Sequence, residues 1–132
     1  MKKAGMIHGE LMKRIALLGH KDLFMIGDAG MPIPQGVEVI DLALCKGVPT
    51  FTQVLDAVLE ESVVEYYYVA EEIVTANPGI YQYIQEKLPD VAHEKMPHDN
   101  LKEFSGKCKF AIRTGEYSPY PNVILRAGVA FS

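Results

Sequence analysis

The chain has 132 residues, 48% of them hydrophobic, with a formal net charge of −4; this suits one globular domain over residues 1–132 and excludes a disordered chain. The acidic balance and the lack of a Lys/Arg cluster exclude the electrostatic footprint of a nucleic-acid binder. No apolar run approaches the roughly 20 residues that span a bilayer, and Met1-Lys2-Lys3 leads into no signal-peptide core, so the expected location is cytoplasmic.

Ile7, Leu11, Ile15 and Leu18 recur at helical spacing, and Gly19 stands where a left-handed cap would close that first helix. Leu23 to Ile26 is a short apolar run, read as a buried strand that delivers Asp28 to its C-terminal edge. Gly30, Pro32 and Pro34 then interrupt regular structure, and Val37 to Leu42 alternates as a second strand. After a turn at Lys46-Gly47-Val48-Pro49, Thr50 or Thr52 caps a helix holding Val54, Leu55, Val58 and Leu59. Val63 to Val69 is a third strand, with Tyr66, Tyr67 and Tyr68 expected partly in the core and partly at a subunit interface.

Asn77-Pro78 pairs a good N-cap with a good first helical residue, opening a helix that carries Ile80, Tyr83, Ile84 and Leu88 until Pro89 stops it. A strand around Val91 to Met96, a short helix near Leu101 to Phe104, and closing strands at Phe110 to Arg113 and Val123 to Leu125 complete the series. Helices interleaved with buried strands predict an α/β class: a single-domain α/β sandwich whose central sheet, largely parallel or mixed, is flanked by helices.

Ligands in such folds gather beyond the carboxyl ends of strands. Asp28, His98 and the loop between Arg113 and Asn122 each follow a predicted strand and are expected on one rim, whereas His20 precedes one. His20 therefore joins them only if the first helix ends beside it; otherwise a neighbouring subunit supplies it. Histidine has the side-chain pKa nearest neutrality, which suits proton shuttling on a polar, uncharged substrate. Lys102, four residues after His98 on one helix, faces the same way. Tyr120 and Asn122 offer a ring face, a hydroxyl and an amide, a set fitted to a sugar.

Each of these residues has a plainer reading. His20 suits a helix C-terminus, Asp28 a turn bonding its own backbone, His98 a helix start, and Arg113-Thr114-Gly115-Glu116 a polar turn with an ion pair. His8 and His93 are expected on the surface. Cys45 and Cys108 lack metal or disulfide spacing and are expected as small buried residues. No metal is expected, because His20, Asp28 and His98 show none of the usual ligand spacings. Gly27-Asp28-Ala29-Gly30 is no phosphate loop, since it lacks GxGxxG and carries an acid.

Taken together, Gly19-His20-x-Asp22, Asp28-Ala29-Gly30-x-Pro32-Ile33-Pro34, Ile40-Asp41-Leu42-Ala43-Leu44, Pro97-His98 and Ile112-Arg113-Thr114-Gly115-Glu116-x-Ser118-Pro119-Tyr120-x-Asn122 closely resemble the RbsD/FucU mutarotase family over essentially the whole chain. The resemblance implies a cofactor-free enzyme that interconverts the pyranose and furanose forms of D-ribose and so supports its uptake and phosphorylation. It also implies a homo-oligomer, a decamer of two pentameric rings, with active sites between adjacent subunits. By the same resemblance His20 is the proton donor, and Asp28, His98, Lys102, Tyr120, Pro121 and Asn122 hold the sugar. The Arg113 to Tyr120 stretch looks like the ribose branch rather than the L-fucose branch. Departures are Pro121, which removes a backbone N–H where a small residue is usual, Leu101 in place of Phe, and Gly27 in place of Ala. The rival expectations are a mutarotase of another sugar such as L-fucose, a non-catalytic sugar-binding subunit of a ribose transport system, and a metal-dependent aldose isomerase.

Overall fold

The computed structural model describes residues 1–131, which build a six-stranded sheet with helices on both faces. Its strands are β1 (Leu23–Gly27), β2 (Glu38–Asp41), β3 (Val64–Ala70), β4 (Ala92–Met96), β5 (Phe110–Arg113) and β6 (Val123–Ala127), in the spatial order β2-β5-β1-β6-β3-β4. β5 is parallel to β1 and β2, and β4 to β3, whereas β6 is antiparallel to both of its neighbours, β1 and β3. The sheet is therefore mixed. Because β6 alone runs against the rest, the carboxyl ends of the other strands and the start of β6 lie along one edge.

Period-two alternation splits the strand residues between two cores. Phe24, Ile26, Phe110, Ile112, Val123 and Leu125 pack against α1 (Gly9–Ala16), α2 (Phe51–Glu61) and α4 (Pro78–Lys87) through Leu11, Phe51, Leu55, Val58 and Ile84. Met25, Ala111, Ile124 and Tyr68 face the other way, onto Leu101 and Phe104 of α5 (His98–Phe104) and onto Met31 and Val37 from the loop after β1. Full burial of each such large side chain contributes about 1.5–3 kcal/mol, so the sheet centre is the stable platform from which the loops project. Thr50 is the cap of α2: its hydroxyl accepts from the Gln53 N–H at 3.2 Å while the Gln53 side chain accepts from the Thr50 N–H at 2.9 Å. Among the described residues no helix is long and apolar enough to cross a membrane.

Several local expectations are corrected. The first helix ends at Ala16, three residues short of Gly19, and the left-handed residue of the following turn is Lys21, with φ 74°. Ile7 precedes the helix and is exposed, and His8 caps its start by accepting from the Leu11 N–H at 3.1 Å. Asn77 makes no capping bond, because its amide donates to Ser118 Oγ at 3.0 Å and to the Pro119 carbonyl at 2.9 Å; the short helix α3 (Ile73–Ala76) leads into it. His93 is half-buried rather than a free surface residue. It stacks on Tyr67 with ring centres 4.5 Å apart, and its Nε2 lies 2.8 Å from the Tyr81 hydroxyl. Burial, with Lys95 adding to it, pushes the His93 pKa down. Cys108 is buried, which pushes its thiol up to about 12; Cys45 is exposed, against expectation.

Candidate functional site

β1 stops at Gly27, where a Cβ would stand only 3.0 Å from Asn122 Oδ1 and 3.1 Å from the Met31 Cβ. The bare backbone lets β6 begin alongside, so Asn122 and Asp28 meet although 94 residues separate them. The Asp28 N–H donates to Asn122 Oδ1 at 2.8 Å, and Asn122 Nδ2 donates to Asp28 Oδ2 at 3.0 Å. The other carboxylate oxygen, Oδ1, accepts from the Gly30 N–H at 2.8 Å, the turn reading given above. Asn122 is wholly buried. Its amide serves Asp28, and removing it would strand polar groups at about 1–3 kcal/mol.

Tyr120 is held in the left-handed region, φ 61°, by a tight turn in which the Asn122 N–H donates to the Tyr120 carbonyl at 2.8 Å across the buried Pro121. This conformation sets the Tyr120 ring edge-on to His98, with centres 4.9 Å apart and planes at 83°. His98 opens α5, and its backbone N–H donates to both carboxylate oxygens of Glu72, at 3.0 and 3.1 Å. Its imidazole Nδ1 is buried without a hydrogen-bond partner. Such an orphan atom is uncommon and marks a place where a ligand hydroxyl can bind. Lys102 follows one turn later on α5, half-buried, with its ammonium 4.0 Å from Asp99 Oδ1.

Arg113-Thr114-Gly115-Glu116 ties this rim together. The Arg113 guanidinium reaches Asp41 at 3.1 Å and donates to the Ala29 carbonyl at 3.0 Å, while the Thr114 hydroxyl donates to the Gly27 carbonyl at 2.8 Å. The Glu116 carboxylate accepts from the Phe51 N–H at 3.0 Å, at the start of α2, and from the Ser118 hydroxyl at 2.9 Å. Glu72, Asn77 and Glu116 thus support the rim; sequence reasoning missed Glu72, read Asn77 as a helix cap, and placed Glu116 in the rim loop without its partners. No periodicity signals a side chain whose partner is a distant loop.

His20 stands elsewhere. It lies in the turn between α1 and β1, held to the end of β6 by the Lys21 N–H on the Ala127 carbonyl and the Ala127 N–H on the Asp22 carbonyl, both 2.8 Å. The five residues of β1 separate it from Asp28, a span of roughly 15 Å. Within one chain, therefore, the structure brings Asp28, Tyr120, Pro121 and Asn122 together with His98, Lys102 lying one turn further along α5, but not His20. The His20 imidazole is half-exposed beside a cleft of 380 Å³ lined by Leu18, Val63, Gly128, Val129 and Phe131. Its Nε2 is 2.5 Å from Glu65 Oε1. Among the described residues, no three His, Cys, Asp or Glu side chains converge as a metal site.

These two groups of residues occur in a chain with full-length relatives. The sequence matches the RbsD / FucU transport protein family over residues 1–130. It is 49% identical over 132 residues to the D-ribose pyranase of Geobacillus thermodenitrificans, covering 100% of each chain. To the D-ribose pyranase of Pediococcus pentosaceus it is 47% identical over 131 residues, 99% of this chain and 100% of the relative. The structure of Bacillus subtilis RbsD complexed with D-ribose superposes with a TM-score of 0.95 at 40% identity, covering 99% of this chain and 100% of that one. The fucose mutarotase of Streptococcus pneumoniae, in complex with L-fucose, reaches 0.78 at 23% identity over 95% of each chain, a likeness of fold alone. By sequence and by fold, over nearly every residue, the chain belongs to the RbsD/FucU family.

Proposed function

We propose that this chain is a D-ribose pyranase, which interconverts the pyranose and furanose forms of ribose by acid–base opening and reclosure of the ring. The observation that carries the reading is the full-length match, at 0.95, to a structure complexed with D-ribose. The rim supports it, because Asp28, His98, Lys102 and Tyr120 offer acceptors and donors suited to sugar hydroxyls. The buried Asn122 fixes Asp28, and Pro121 stands in the turn that sets Tyr120.

The chemistry asks little beyond proton transfer. His20 gives a proton to the ring oxygen as the C1–O5 bond breaks, its electron pair going to O5, and the anomeric hydroxyl loses its proton to solvent water to become the aldehyde. After rotation about the chain, O4 attacks C1, the imidazole takes a proton back from O4 and the carbonyl oxygen regains one from water. No atom is oxidised or reduced. A positioned imidazole contributes on the order of 100- to 10,000-fold to such a step.

Because His20 and the Asp28 rim lie on opposite edges of the sheet, each complete site is formed between two copies of the chain. A ring supplies that arrangement head to tail, one copy's His20 edge meeting the next copy's rim. Resemblance to the RbsD/FucU family supports a ring of five, two of which stack into a decamer. The proposed setting is cytoplasmic, where the furanose would pass to phosphorylation after uptake.

Saturation-transfer NMR on D-ribose tests the reading. The β-pyranose and β-furanose anomeric signals should exchange faster with the protein present, with or without chelator. Broadened ribose lines without faster exchange would instead indicate the binding subunit of a transport system.

A further inference from the structure

The strand that faces His20 carries an irregularity at one residue. In the pairing of β3 with β6, Val64 sits opposite Ala127 and Tyr66 opposite Arg126, so two steps along β3 match one along β6. The extra residue is Glu65. A bulge of this kind reverses the alternation: Val64 packs on the core beneath α1 and α2, whereas Tyr66 packs on the opposite core with Tyr68. The unpaired Glu65 is thereby released from the ladder, and bulges of this type re-aim side chains beside active sites.

Glu65 is also held from behind. Arg126, on β6, donates from Nε to Glu65 Oε2 at 3.1 Å, and its Nη2 lies 3.1 Å from the same oxygen. Its guanidinium in turn lies over the Tyr66 ring, 4.7 Å from the centre. Gly128 completes the seat, since a Cβ there would come within 3.3 Å of the Glu65 Cβ. With Oε2 so occupied, Oε1 is the oxygen left to meet His20 Nε2 at 2.5 Å.

We propose that Glu65 is the positioning residue of this enzyme, fixing the His20 imidazole through Nε2 so that Nδ1 is the nitrogen that exchanges the proton with the sugar. The inference rests on the pyranase reading above and adds the group through which His20 is held. A carboxylate that accepts one ring N–H sets the tautomer and stabilises the imidazolium formed when the other nitrogen takes a proton, as in other acid–base sites. Glu65 touches no reacting atom and acts only through His20.

Glu65→Gln and Glu65→Asp, each alone and in a His20→Ala background, test this by ribose exchange rates measured against sugar concentration. Asp retains a charge for Arg126 while drawing back from the imidazole, so it covers the case in which Gln impairs folding. Each single variant should lower kcat about 10- to 100-fold, part of the general-acid contribution, with KM within about twofold of wild type and assembly unchanged. Neither should reduce further the residual exchange of His20→Ala, because groups that act as one unit are not additive. Wild-type kcat in both single variants, or an equal further loss in the His20→Ala background, would overturn the proposal. Should His20→Ala alone exchange ribose at the wild-type rate, the underlying pyranase reading would fail instead.

Discussion

His20→Ala should abolish all but about 0.01–1% of protein-dependent ribose exchange, the inverse of the 100- to 10,000-fold that a positioned imidazole supplies. The fold should survive, because the turn around His20 is held by backbone bonds from Lys21 and Asp22 to Ala127 rather than by the imidazole. Ribose should still bind, since Asp28, His98 and Lys102 lie on the far edge of the sheet and keep their own supports. Line broadening of ribose without exchange, from a variant of wild-type size by sedimentation, is the expected pattern. Wild-type exchange in this variant would remove His20 from the mechanism.

Gly115→Ala should produce the largest loss of stability of any single methyl addition to the rim. A Cβ there would stand 2.6 Å from the Val48 carbonyl oxygen, 2.7 Å from the Val48 nitrogen and 2.8 Å from the Cys45 carbonyl oxygen, all of them backbone atoms that no rotamer change can move. Gly115 is also hydrogen-bonded on both sides, to the Pro49 carbonyl at 2.8 Å and from the Gly47 N–H at 2.7 Å. Overpacking against fixed backbone costs about 3 kcal/mol, or on the order of 10 °C in Tm for a chain of this size. The displacement would carry Glu116 with it and so loosen the start of α2 and the Ala29 backbone beside Asp28. Differential scanning calorimetry at fixed protein concentration checks this; an unchanged Tm would show that the 45–49 turn gives way freely.

What could be read from the sequence was whatever depends on neighbours along the chain. The apolar run from Leu23 ended where a buried strand should, putting Asp28 on the rim, and Thr50, one of the two cap candidates, opens α2. That His98 and the Arg113 to Asn122 loop share the Asp28 rim also followed, because each comes after a strand and the parallel strands run one way. Contacts set by tertiary packing were not legible. Nothing near Asn122 announces that its amide will serve Asp28, and Asn77 reads as a cap until the Ser118-Pro119 loop claims its side chain. Val63 to Val69 looks like an unbroken strand, yet the bulge at Glu65 flips its faces midway. The central place of antiparallel β6 is equally silent in the hydropathy pattern, whereas the separation of His20 from the rim was legible, because His20 precedes β1 and Asp28 follows it.

Mixed rings distinguish a site shared by two copies of the chain from one confined to a single copy. His20→Ala and His98→Ala, each inactive alone for a different half of the site, would be co-assembled in equal amounts and assayed for pyranose–furanose exchange by NMR. Random mixing should restore about a quarter of wild-type activity, because a site between two copies needs an intact His20 from one and an intact His98 from the other. Mixed rings as inactive as either variant alone would show that the two half-sites do not meet across a subunit boundary.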